Sequence, residues 1–170
     1  MRRLILFRHA KTAPRAPGQQ DIDRALTERG VRDALAMARR MAGDGLVPDL
    51  VLISPSARTR QTWDQAKVAF PNARVEVVDA IYEAAPEDIA GVIAAHAADA
   101  GTLMVIGHNP GLQELSLELL VEGSAAAHHI DQVEARFPTA AAAAFSIGPD
   151  GRAAFDGLFT PKDFLFGETI

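Results

Sequence analysis

Leu4-Ile5-Leu6-Phe7-Arg8-His9-Ala10-Lys11, residues 4–11, sets four apolar side chains directly before an Arg-His pair. An unbroken apolar run of this length, cut off by charge, reads as a strand buried on both faces, as in parallel sheets covered by helices. Met1-Arg2-Arg3 ahead of it gives the N-terminus the look of a signal peptide. The apolar part stops at Phe7, too short for a secretory core, so the segment is expected to be the first strand of the fold.

The same unit recurs down the chain. Thr27-Glu28-Arg29-Gly30 opens a helix with Thr27 as N-cap, and Val31, Leu35, Ala38 and Met41 form its expected apolar face before Gly43 and Gly45 end it. Leu50-Val51-Leu52-Ile53 is the second strand, and Ser54-Pro55-Ser56 turns it into a helix reaching to about Phe70. Val75-Glu76-Val77-Val78 is a third, shorter strand. Pro86-Glu87-Asp88 suits the first turn of a helix running to about Ala98. Leu103-Met104-Val105-Ile106 is a fourth strand, Gly107 to Pro110 its exit loop, and Gly111 to Leu120 the next helix.

In the last third, Phe145-Ser146-Ile147 pulls the alanine run 140–144 toward strand. Gly148-Pro149-Asp150-Gly151 then reads as a hairpin turn into an edge strand at Ala153-Ala154-Phe155. Strands alternating with helices predict an α/β fold of three layers: a mostly parallel sheet with an antiparallel edge strand near the C-terminus. With no repeat or low-complexity linker, residues 1–170 are expected to form a single domain.

Composition narrows the chemistry. Hydrophobic residues make up 48% and charged residues 23%, ordinary for a globular protein, and no apolar run approaches the roughly 20 residues of a membrane-spanning helix. The chain has no cysteine, so disulfides, thiolate nucleophiles and thiolate metal sites are excluded, and a cytoplasmic location is the natural expectation. A formal net charge of −5 argues against nucleic acid as a partner. It leaves room for a small positive pocket.

Such a pocket is what the strand ends predict. In open α/β sheets the ligand cleft lies at the carboxyl ends of the strands. Arg8 and His9 follow the first strand, His108 and Asn109 follow the fourth, and Arg58 sits early in the helix after the second. Arginine offers a planar fork of donors matched to phosphate oxygens and stays charged at any relevant pH. A neutral imidazole attacks phosphorus, and neighbouring cations keep its proton off. Arginine and histidine supply the positive charge, so neither a metal nor an organic cofactor is required.

Arg8-His9-Ala10-Lys11, the stretch Asp23 to Gly30, the segment Ser54 to Thr62 and Gly107-His108-Asn109-Pro110 together resemble the histidine phosphatase superfamily, over essentially the whole chain. The resemblance is to its short, SixA-type phosphohistidine phosphatases, with a phosphoglycerate mutase-like fold. It implies that His9 is the phosphorylated nucleophile and that Arg8, Arg58 and His108 form the phosphate pocket. Glu83, in Ile81-Tyr82-Glu83-Ala84, lies where many members of the superfamily place a proton donor. Many members carry glycine after the Arg-His pair, whereas Ala10 and Lys11 follow here, as in SixA-type sequences, and little length is spare for a lid. Three functions follow: a phosphatase of phosphohistidine on a protein partner, a phosphatase of small phosphate esters on the same machinery, and a non-catalytic phosphate-binding module. The last is disfavoured because all four pocket residues are present.

The remaining polar residues have plainer readings. Lys11 either steers anionic substrate, the preferred reading, or caps the loop, and Asn109 is a candidate substrate contact. Arg60 lies about 200° round its helix from Arg58 and should point away from the phosphate. Trp63 and Phe70 read as packing residues, and His96 as structural. His128-His129 with Asp131 lacks a further ligand at metal spacing and is expected in an exposed loop. Asp21 and Asp23 would repel phosphate if they faced it, so they are expected to orient an arginine or the loop. Nothing in the sequence decides whether Thr160-Pro161-Lys162 passes the cleft.

Overall fold

Four short apolar strands with helices between them can bury both strand faces only if the helices cover both sides of one sheet. The computed structural model, which describes residues 1–164, has that arrangement. Strands β1 (Arg3–Arg8), β2 (Leu50–Ile53), β3 (Arg74–Val77), β4 (Thr102–Gly107), β5 (Ala142–Ile147) and β6 (Ala153–Phe159) form one sheet in the order β3-β2-β4-β1-β5-β6. The first four are parallel neighbours, and β5 joins β1 antiparallel, followed by antiparallel β6 at the edge. The chain therefore has the expected α/β fold, with a mostly parallel sheet and an antiparallel edge near the C-terminus.

Alternate residues of each central strand enter different cores. Leu4, Leu6, Leu52 and Val105 face helices α3 (Pro86–His96), α4 (Gly111–Glu122) and α5 (Ala127–Ala135), contributing Ile89, Ile93, Leu112, Leu115 and Val133. Ile5, Phe7, Val51 and Ile106 face helices α1 (Glu28–Gly43) and α2 (Ala57–Ala66), contributing Met37, Met41, Trp63 and Ala66. Burying a side chain such as Phe7 or Leu52 contributes about 1.5–3 kcal/mol of transfer free energy, set against the entropy of ordering it. With β1 and β4 paired in register, Arg8 opposite Gly107, His9 and His108 leave the sheet side by side.

The structure differs from the sequence reading in places. The Thr27 cap is as expected, its hydroxyl accepting from the Gly30 amide. The buried face of α1, however, is Gly30, Ala34, Met37, Ala38 and Met41, while Val31 is exposed. The helix start is pressed onto the β1 exit loop: a Cβ on Gly30 would lie 2.1 Å from the Lys11 carbonyl oxygen. Small residues take that side, and the larger Val31 is turned out. Helix α2 ends at Ala66 and continues as a 3₁₀ turn at Lys67–Ala69. Strand β3 is wholly exposed at the sheet edge.

His128 and His129 belong to α5 and not to a loop, because the flanking alanines favour helix. His129 packs on Phe155, and no group of three or more metal-ligating side chains occurs among the described residues. His96 closes α3, its Nδ1 donating to the Val92 carbonyl. Trp63 and Phe70 are buried in the core under α1 and α2. Thr160 is buried, and the 3₁₀ turn at Pro161–Phe164 packs on α1. Among the described residues, no helix is long and apolar enough to cross a membrane.

Candidate active site

Each side chain of the site stands at a strand end or helix start that backbone hydrogen bonds hold in place. The His9 amide donates to Gly107 O, tying the exits of β1 and β4, and the Ala10 amide donates to Thr62 Oγ1 on α2. Ser56 caps α2 by accepting from the Thr59 amide, so Arg58 lies in the first helical turn. Gly111 lets α4 start against the loop that carries Glu83: a Cβ there would lie 2.2 Å from the Ala84 carbonyl oxygen.

These elements converge on a cavity of about 540 Å³, lined by Arg8, His9, Lys11, Arg24, Arg58, Glu83, His108 and Asn109 together with Thr12, Pro14, Thr27 and Thr139. All seven candidates from the sequence reach it. Its floor is buried, with His9 8%, Arg58 5% and His108 6% exposed, too low for polar residues without a purpose. The His9 and His108 rings lie 5.2 Å apart.

Hydrogen bonds assign the imidazole tautomers, since a carbonyl only accepts and a guanidinium only donates. His9 Nδ1 is 2.8 Å from the Ala10 carbonyl oxygen, so Nδ1 carries the proton and Nε2 keeps its lone pair. Arg58 Nε donates to His108 Nδ1 at 3.3 Å, so the His108 proton is on Nε2, donated to Ser54 Oγ at 2.7 Å. Burial is the main force lowering the His9 pKa to about 4; the Ala10 bond opposes it, and Arg58, Arg8 and Arg24 add to it. Burial, then His9 and Arg58, lower His108 to about 3. Both rings are neutral at pH 7.

The arginines are partly spent. Arg8 Nη1 donates to the Phe137 carbonyl at 2.7 Å, while its buried Nε has no partner among the described residues. A buried donor without an acceptor is rare in native proteins and marks a place for one. Arg58 donates Nη1 to the Asp21 carbonyl at 2.8 Å, and its Nη2 pairs with Asp21 Oδ2 at 2.9 Å. With Nε on His108, N–H donors on the terminal nitrogens are left over. Arg60 is exposed and turns back to the Pro55 carbonyl, as its helical position required.

Other candidates play different parts. Asn109 Nδ2 bonds Gln113 Oε1 and the Phe137 carbonyl, bracing the wall, while its buried Oδ1 has no partner among the described residues. Lys11 and Glu83 are exposed at the mouth. Glu83 has φ 51°, a left-handed conformation uncommon outside glycine. Asp21 lies behind Arg58 and Arg24 and is not among the cavity-lining residues, which resolves the repulsion expected of an acid beside phosphate. The sequence did not single out Arg24, Tyr82, Ser54 or Thr12. Arg24 and Ser54 lay within stretches already marked by the family resemblance; Tyr82 and Thr12 carried no such signal.

Comparison with known proteins agrees. Residues 4–103 match the model of the histidine phosphatase superfamily (branch 1), a span that includes His9, Arg58 and Glu83 but stops short of His108. An uncharacterized chloroplastic protein of Arabidopsis thaliana is 31% identical, the match covering 97% of this chain and 80% of the relative. The structure is similar to that of an Agrobacterium tumefaciens protein assigned as phosphohistidine phosphatase SixA, at TM-score 0.82 and 32% identity, covering 94% of this chain and 98% of that one. A tungstate complex of the protein histidine phosphatase SixA shares the fold at TM-score 0.75 and 23% identity, over 95% of this chain and 99% of that one. The chain therefore belongs to the histidine phosphatase superfamily, in its SixA-type group, and is a phosphatase.

Proposed function

We propose that this phosphatase acts on phosphohistidine carried by a protein partner, through a phosphorylated intermediate on His9. The observation that carries the reading is the state of His9. Its proton is tied to Ala10 at Nδ1, and its Nε2 lone pair is left to a cavity where Arg8 and Arg58 hold unspent donors. His9 Nε2 attacks phosphorus, the bond from phosphorus to the substrate nitrogen breaks, and that nitrogen takes up a proton. Water then attacks the phosphorus on Nε2, the P–N bond breaks, and inorganic phosphate leaves with His9 restored. Arg8 and Arg58 would bind the equatorial oxygens and stabilise their charge in both transition states.

His108 holds Arg58 in the free enzyme, and a bound phosphoryl dianion would draw it toward its protonated form. Glu83, the one carboxylate lining the cavity among the described residues, is the candidate to give or take the leaving-group proton. Support for a protein substrate comes from the similarity to SixA phosphohistidine phosphatase and from the exposed Lys11 and Glu83 at the mouth. A small phosphate ester is the second reading, favoured by a cavity of about 540 Å³, large enough to enclose one. Turnover of a phosphohistidine protein beside a panel of small monoesters, with His9→Ala as control, separates them. Fast loss from the phosphohistidine protein alone is expected; preference for one ester would keep the chemistry and overturn the substrate.

A further inference from the structure

We infer that Asp21 is the positioning residue of the phosphate site: one carboxylate, behind the cavity wall, that sets the orientation of Arg58 and Arg24 together. The inference rests on the reading of Arg58 as a phosphate ligand.

Three hydrogen bonds and an ion pair converge on Asp21 from three separate parts of the chain. Oδ1 accepts from Arg24 Nη1 at 3.0 Å, and Oδ2 accepts from the Tyr82 hydroxyl at 3.1 Å and pairs with Arg58 Nη2 at 2.9 Å. The Asp21 backbone carbonyl takes Arg58 Nη1 at 2.8 Å. Asp21 begins a 3₁₀ turn at Asp21–Asp23, so its position follows the loop between β1 and α1. Tyr82 comes from the loop before α3, next to Glu83. Its ring lies under the Arg58 guanidinium at 5.8 Å and meets His108 edge-on at 5.5 Å.

The consequence is a division of labour on Arg58. A guanidinium has five N–H groups. Asp21 accepts from Nη1 and pairs with Nη2, and His108 takes Nε, which fixes the plane of the group and leaves N–H donors on the terminal nitrogens free. Arg24 is held likewise, by Asp21, by Thr12 Oγ1 and by the Ala13 carbonyl, while it lines the cavity. Because Arg58 Nε sets the tautomer of His108, the orientation imposed by Asp21 passes on to the second imidazole.

Asp21→Asn is a diagnostic change. It keeps the shape, but the amide presents an acceptor on one side and a donor on the other, so either Arg24 or Arg58 faces a donor and is released. Removing the negative charge also makes the pocket more attractive to anions, which offsets the loosened arginine in ground-state binding. The expected result is a split: kcat for phosphoramidate falls at least about 10-fold, as for loss of one charge-assisted hydrogen bond. The dissociation constant for inorganic phosphate should change by less than about 3-fold. The Arg58 Nε–H NMR signal, protected from exchange in the wild type, should be broadened in the variant, a readout that needs no turnover. Tyr82→Phe, which removes one donor to Oδ2, should show the same split at about 3-fold and serves if Asp21→Asn does not fold. An unchanged kcat, an equal loss of kcat and phosphate affinity, or a sharp Arg58 signal in the variant would overturn the inference. Inactivity of the wild type itself would instead count against the proposed function.

Discussion

The floor of the cavity and its mouth line one space and are built by different rules. On the floor, His9, Arg58 and His108 are almost fully buried, every ring nitrogen but His9 Nε2 has an assigned partner, and Arg58 is held by Asp21 and His108. At the mouth, Lys11 and Glu83 are exposed, and no hydrogen bond or ion pair among the described residues restrains the Lys11 side chain. A buried polar group left unpaired is costly, so the floor tolerates little change. An exposed charge is screened by water and salt and adjusts to whatever enters. On the proposed function, the floor fixes the chemistry and the mouth chooses the substrate.

The sharpest way to break that contrast is on α2. Arg58→Ala removes a floor residue and should lower kcat by about 10²–10³-fold in steady-state assays, the usual cost of losing one oxyanion-stabilising group. Arg60→Ala, on the same helix but in solvent, should stay within about 2-fold. Equal effects would mean that burial does not distinguish the two regions.

A second test uses pH. His9 and His108 ordinarily titrate at 6.5 but are held at about 4 and about 3 in the fold. Between those values the unfolded chain binds more protons than the folded one, so folding stability rises with pH there. Their contribution is fully present above 6.5 and is lost as pH falls through about 4 and then about 3. Urea unfolding at pH 7 and pH 5 should show the loss, and His9→Asn should reduce it. The acid limb of kcat/KM should lie near 4 for the wild type, well below that of a free imidazole.

The smallest effect is expected at the mouth. Lys11→Ala should change KM for a phosphohistidine protein by a few-fold, more at low than at high ionic strength, and leave kcat unaltered. A large fall in kcat would place Lys11 with the floor.

The floor was legible in the sequence for the same reason that it is rigid. Leu4 to Phe7 and Leu103 to Ile106 are apolar without interruption because both faces of their strands are covered, so the first polar residue after each marks the cleft. Arg58 was separable from Arg60 because helical geometry is regular. The Asp21 network was only half legible. That an acid near the site orients an arginine follows from charge alone, but its meeting with Tyr82, 61 residues away, depends on how two loops settle. The face of α1 was misread at Val31 because close approach to the Lys11 carbonyl selects Gly30, and hydrophobicity counts do not register backbone contact. The helix α5 was missed because the two histidines drew attention to ligand spacing rather than to the alanines beside them.

The most direct test of the account is to trap the phosphorylated enzyme. The protein, incubated with a phosphoramidate donor, is quenched in alkali, where a phosphorus–nitrogen bond on histidine survives, and the digested peptides are analysed by mass spectrometry. The account predicts phosphate on the peptide containing His9 and none in His9→Ala. Turnover with no phosphorylated His9, or phosphate on another residue, would contradict it.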